Sequence, residues 1–146
     1  MAHQKDKSVV LLPIRPIYVK EILEGRKKVE FRRRAFSREV DRVVIYATSP
    51  VKKVVGTYHL NRIVQGCPQD IWTKYKRVGG ISQRDYFNYF ADTNSSFALE
   101  IDRGRILSDP IPLSVIESGM MAPQSFRYLS NEQISKIDRL PSRMNT

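Results

Sequence analysis

Cysteine is almost absent. Cys67 is the single thiol, which excludes an intrachain disulfide and a cysteine-rich zinc site. Histidine is nearly as scarce: His3 and His59 lie far apart and share no metal-ligand spacing, and no motif calls for a metal or an organic cofactor. Long apolar runs are missing too. The stretch from Val9 to Ile14 is interrupted by Pro13 and falls far short of the roughly 18 residues a spanning helix needs. No small-residue cleavage site follows it, as a secretory signal would require. No period repeats, and no segment is of low complexity. These absences argue against a disulfide scaffold, a membrane protein and a repeat array, and they predict a protein of the reducing cytoplasm.

What the chain has in excess is positive charge. Its 146 residues carry 25 Lys and Arg against 15 Asp and Glu, a formal charge of +10. An apolar content of 41% and a charged content of 27% are those of a globular chain, and the length suits one domain. A small, strongly basic domain points to a polyanion, with nucleic acid ahead of anionic lipid or an acidic protein. No helix-turn-helix or zinc-finger pattern supports duplex DNA, so single-stranded or loop RNA, whose base edges are open, is the favoured partner.

Periodicity predicts short elements. Ser8 to Leu12 reads as a buried strand, and Pro16 opens a helix over Ile17 to Glu24 that Gly25 stops. Lys27 to Arg33 alternates as a strand, with Val29 and Phe31 on one face and Lys28, Glu30 and Arg32 on the other. Strands follow at Arg42 to Ala47 and Lys53 to Ile63, where Gly56 marks a bulge or a close backbone approach. Two helices come next, Gln69 to Lys76 and Gln83 to Phe90, the second capped by Ser82 with Asp85. Phe97 to Ile101 and Ile106 to Leu113 read as the last two strands, and Ser130 with Gln133 caps a final helix. The expectation is an α+β fold: a single domain over residues 8–140, a small mixed β-barrel of five to six strands with short flanking helices. Residues 1–7 are expected as a disordered tail and 141–146 as a loose end.

Chemistry concentrates between Arg15 and Arg42, where ten cations meet five carboxylates, and arginine, the better bidentate phosphate ligand, dominates. Arg15, Lys27, Lys28, Arg32 and Arg33 are candidate phosphate contacts. Glu30 reads three ways: an ion pair with Arg15 or Arg32, an acceptor for an exocyclic base amine, or a general base. Thr48 and Ser49 at a strand end, and Gln124, Ser125 and Tyr128 in a proline-led loop, are further candidate ligand contacts beside ordinary turn and loop roles. Trp72, Tyr75, Tyr86, Phe87 and Phe90 recur at helical spacing and read as core before base-stacking surface. His59 has no partner for acid–base work, and Cys67 reads as structural.

The segments Leu12-Pro13-Ile14-Arg15-Pro16, Ile22-Leu23-Glu24-Gly25-Arg26-Lys27 and Glu30-Phe31-Arg32 together resemble the ASCH (activating signal cointegrator homology) domain, a family with PUA-like folds. Its mark is a helix ending in Gly-x-Lys, then a strand ending in Arg. Tyr46 to Pro50 and Pro123 to Tyr128 resemble further segments of prokaryotic members, and the likeness runs from about Val9 to Leu129. The resemblance implies a β-barrel with a cleft beside the first helix, and binding of RNA or a modified nucleoside, with a regulatory role among the options. Some relatives are amidohydrolases that deacylate the N4 amine of cytidine; others are ribonucleases. The amidohydrolase lysine matches Lys27. Their threonine nucleophile falls on Glu30, and a carboxylate cannot take that role unchanged. The resemblance therefore leads to a nucleic-acid-binding module, with an enzyme using Lys27 and Glu30 as the alternative.

Overall fold

The computed structural model describes residues 7–145; of the expected N-terminal tail, residues 1–6 lie outside the described residues. The apolar runs form β1 (Ser8–Ile14) and β3 (Val40–Ala47), which pair in parallel with Val10 opposite Val43. Buried parallel strands read as near-continuous apolar stretches, as these do. The crossover between them holds α1 (Pro16–Leu23) and β2 (Val29–Arg32). Pro16 stands where a helix leaves an N–H unsatisfied in any case, and Val19 and Ile22 turn into the core. Gly25 ends the helix at φ 80°, a backbone that glycine adopts without steric penalty.

The long strands β4 (Lys53–Gly66) and β5 (Ser96–Ile111) form the antiparallel centre of the sheet, flanking α2 (Pro68–Tyr75) and α3 (Gln83–Tyr89). A short α4 (Leu113–Ile116), a two-residue β6 (Arg127–Tyr128), α5 (Asn131–Asp138) and β7 (Ser142–Asn145) complete the chain. Strand order is β2-β5-β4-β3-β1-β6, with β7 also on β5. The main-chain ladder ends at β2 and β6, and one side chain bridges those ends. Arg32, the last residue of β2, donates to the Pro13 carbonyl of β1 (3.3 Å) and to the Ser125 carbonyl just before β6 (2.8 Å).

Alternation sorts the core into layers. Val10, Leu12, Val43 and Ile45 pack under α1, whereas Leu11, Val44 and Tyr46 pack under α4 and α5. The third layer holds Val29, Phe31 and Ala98 against Trp72, Tyr75, Tyr86 and Phe90, so these helical aromatics serve the core. Both expected caps form: the Ser82 hydroxyl accepts from the Asp85 N–H, and Ser130 with Gln133 makes a reciprocal capping box.

Three features differ from expectation. Among the described residues the sheet has seven strands rather than five or six. Phe97 to Ile101 and Ile106 to Ile111 belong to one strand, because register shifts around Tyr58, Leu60 and Arg62 let β5 bend without breaking, and the expected strand stops short of Leu113, which opens α4. The expected loose end is paired: Ser142 to Asn145 face Leu107 to Gly104, and Asn145 donates to the Leu23 carbonyl. No apolar pattern marks these four residues, since main-chain hydrogen bonds hold them.

Glycines set the closest strand crossing. A Cβ on Gly56 would lie 2.6 Å from the Arg105 carbonyl oxygen, and one on Gly104 would strike the Thr57 carbonyl oxygen and the Tyr58 ring. Gly104→Ala is expected to destabilise the fold by about 1–3 kcal/mol, the scale of core overpacking, measured as a lowered urea midpoint. An unchanged midpoint would mean that the strands separate there freely.

Candidate active-site cleft

A cleft of about 380 Å³ opens between α1 and α3, with the ends of β1 and β2 at its base. That volume is in the range of small-molecule sites. Its floor is charged. Lys27 is 3% exposed and Glu30 7% exposed, and both line the cavity. The carboxylate lies between two cations, with Oε2 3.2 Å from Arg32 Nη1 and Oε1 3.8 Å from Lys27 Nζ. Lys27 also donates to the Gly79 carbonyl at 2.5 Å, and its ammonium sits over the rings of Phe31 (5.0 Å) and Tyr18 (5.3 Å).

Local sequence explains the placement. Gly25 turns the chain after α1, and Lys27 follows before β2 begins. Arg26 stays outside, paired with Glu21 and Glu24. Lys28 forms main-chain bonds with Val78 and Ile101, so the strand alternation starts there and sends Glu30 and Arg32 toward the cleft. Burial lowers the pKa of Lys27, while Glu30 and then Glu21 pull it back up. Burial raises Tyr18, with Asp85 adding to the rise, so its phenol is a neutral donor at pH 7.

The expected site residues divide. Arg15, Lys27, Glu30 and Arg32 meet in the cleft. Glu30 pairs with Arg32 and Lys27, not with Arg15. Arg33 is exposed, its guanidinium 4.6 Å from the Tyr89 ring on the cleft wall. Lys28 lies outside the cleft lining and borders two other concavities with Ile101 and Asp102. Thr48 donates its N–H to the Ile14 carbonyl, which places the Thr48–Ser49 turn behind the cleft wall rather than in its lining. Ser125 reaches the site through its carbonyl, on Arg32. Gln124 is exposed and outside the lining. Tyr128 braces the loop after β2: its hydroxyl accepts from the Ser37 and Arg38 N–H groups, and Arg38 stacks on its ring at 4.3 Å. Burial would raise the Tyr128 pKa, but the bonds from Ser37 and Arg38 outweigh it and lower the value.

Tyr18, Asp85, Asn88 and Tyr89 also line the cleft and were not among the site residues expected from the sequence. Asp85, Asn88 and Tyr89 are spaced i, i+3, i+4 on α3, one face of a helix whose other face carries Tyr86 into the core. That spacing was the available signal. Among the described residues no three His, Cys, Asp or Glu side chains converge as a metal site, and no helix is long and apolar enough to cross a membrane.

Comparison with known proteins decides the family. Over 148 aligned residues the chain is 33% identical to the ASCH domain-containing ribonuclease of Zymomonas mobilis, covering 95% of this chain and 96% of that protein. The chain belongs to the ASCH domain family. The crystal structure of the Zymomonas ASCH protein superposes with a TM-score of 0.85, covering 94% of this chain and 98% of that one. A more distant match, the N-terminal domain of Staphylothermus marinus McrB, has a TM-score of 0.58 at 10% identity and shares the fold alone. No protein-family model matches the chain. The ASCH assignment and its PUA-like α+β fold thus agree with the ordered Gly-x-Lys and Arg segments of the sequence, and the cleft lies beside the first helix as the resemblance implied.

Proposed function

We propose that this ASCH protein binds single-stranded RNA, seats one nucleotide in the cleft and cleaves the adjoining phosphodiester. The observation that carries this reading is the floor of a cavity walled by Tyr18, Phe31 and Tyr89, where buried Lys27 and Glu30 meet part-buried Arg32. The full-length likeness to a protein named as a ribonuclease supports it. Aromatic walls suit a base, and Arg15 and Arg33 at the rim suit the flanking phosphates. Glu30 is the base: it takes the proton of the ribose 2′-hydroxyl. The 2′-oxygen attacks the neighbouring phosphorus, Arg32 stabilises the charge gathering on the phosphoryl oxygens, and the P–O5′ bond breaks. Lys27 gives the leaving 5′-oxygen its proton, so the products are a 2′,3′-cyclic phosphate and a 5′-hydroxyl. The exposed free thiol of Cys67 fits work in a reducing cytoplasm.

A labelled single-stranded RNA and its all-2′-deoxy counterpart test this. The expected result is binding of both and cleavage of the RNA alone, with cyclic-phosphate ends. Cleavage of both strands, or no binding, would overturn it. Because the cleft has the volume for one nucleoside, N4-acetylcytidine is the second substrate to offer; its deacylation without RNA cleavage would favour the amidohydrolase reading.

A further inference from the structure

The cleft does not account for the charge of the chain. Arg15, Lys27 and Arg32 are nearly balanced there by Glu30 and Asp85, whereas the chain as a whole carries +10. A second groove, of about 370 Å³, lies on the other face of the sheet. The register places it: Val44 pairs with Thr57, Thr57 with Arg105, and Arg105 with Met144. Cross-strand partners share a face, and Val44 belongs to the layer under α4 and α5. The groove is thus the stretch of that face which the two helices leave open. Arg42 and His59, paired across β3 and β4, continue the row, and Arg103 joins from β5.

The groove is cationic and uncompensated. Asp138 is the single carboxylate in its lining, and Arg42 engages both of its oxygens. Arg103 and Arg105 are exposed and make no ion pair among the described residues. Standing two residues apart on one strand, they are about 6.6 Å apart along it, close to the spacing of successive phosphates in an extended single strand. Guanidinium forks match phosphate oxygens in pairs. Two flat or apolar surfaces flank them, the His59 ring on β4 to one side and Met144 on β7, which is 60% exposed, to the other.

We propose that this groove is a second contact surface for single-stranded RNA, with Arg103 and Arg105 on successive phosphates and His59 and Met144 against a base. The inference rests on the reading that the chain binds RNA. It extends the bound strand beyond the cleft and around to the opposite face of the sheet.

The test compares the wild-type chain with R103Q/R105Q, R103K/R105K and the cleft variant R15Q. Each is titrated by fluorescence anisotropy against labelled single-stranded 2′-O-methyl RNAs, which lack the attacking hydroxyl, of roughly 16 and about 4 nucleotides over a salt series. With two phosphate contacts removed, the log–log salt slope of R103Q/R105Q on the longer RNA should be shallower by about 1.4, at roughly 0.7 per contact. The short RNA should bind unchanged, and the lysine pair, which keeps the charge, should restore the slope. A slope unchanged in R103Q/R105Q overturns the groove and leaves the cleft reading standing. A slope reduced in R103Q/R105Q but not in R15Q keeps the groove and removes Arg15 from the track. Wild-type binding to polyglutamate but to neither RNA overturns both readings in favour of an acidic protein partner.

Discussion

Lys27→Met should slow RNA cleavage at least about 10²-fold, the lower range for loss of a positioned acid, while leaving the fold as stable as the wild type or more so. The two halves of that expectation have one cause. Lys27 is held almost without water, over two rings, with Glu30 at 3.8 Å and the Gly79 carbonyl as partners. Removing one partner of a buried charge pair is costly when it strands the other charge, but Glu30 would keep Arg32 at 3.2 Å, so what Lys27→Met mainly removes is the burial cost of the ammonium. The stability difference should also depend on pH. Burial lowers the Lys27 pKa below its ordinary 10.5. Between the lowered value and 10.5 the unfolded chain holds a proton that the folded chain has released, so wild-type stability rises with pH across that window. Below the window both states are protonated and the burial penalty applies in full. Any advantage of Lys27→Met is therefore greatest at neutral pH and shrinks toward pH 10.5, as paired urea titrations would measure. A variant that cleaves RNA normally, or one markedly less stable at pH 7, would show that Lys27 is a structural cation and not the proton donor.

Gly80→Ala is expected to have the second largest effect, through the same lysine. Gly80 sits at φ 60°, and a Cβ there would lie 2.6 Å from Lys27 Cβ and 2.9 Å from its Cγ. The new methyl would push the Lys27 stem out of its seat, beside the Gly79 carbonyl that holds the ammonium. Displacing a catalytic group by about 1 Å can cost on the order of 10²-fold in rate. Strain at a left-handed position adds a stability loss of about 1–3 kcal/mol. Cleavage rate and thermal midpoint should fall together, and the rate should fall further than the loss of folded protein explains. A variant with normal rate would show that Lys27 can shift without consequence.

Much of the fold was legible along the chain, because the signals were local. The Val-rich runs of β1 and β3, Pro16 and Gly25 around α1, and the Ser82 and Ser130 caps each act within a few residues. The alternation of Lys28 to Arg32 likewise placed Glu30 and Arg32 on a common face, since strand period is a property of the backbone. What misled was distance. Residues 102–105 fell between two expected strands, yet bulges in the facing β4 carry β5 through as one. Ser142 to Asn145 have no apolar pattern, so their pairing with β5 could not be read from them.

The site shows the same division. Arg15, Lys27, Glu30 and Arg32 could be named from sequence because they lie within one short, dense segment and the ordered ASCH pattern runs through it. The α3 wall of Asp85, Asn88 and Tyr89 comes from more than fifty residues farther along, and only packing of α3 against β2 brings it there. The Gly79–Gly80 pair between α2 and α3 forms the seat of Lys27, a contact that joins residues more than fifty positions apart. By itself, the sequence determined the strand and helix periods, the basic excess and the residue types on the cleft floor, because those follow from composition and backbone geometry. The tertiary structure alone decided which cations are buried together, which carboxylate they share and which arginines are left unpaired on the far sheet face, because burial and charge balance are set by the neighbours that folding brings from distant parts of the chain.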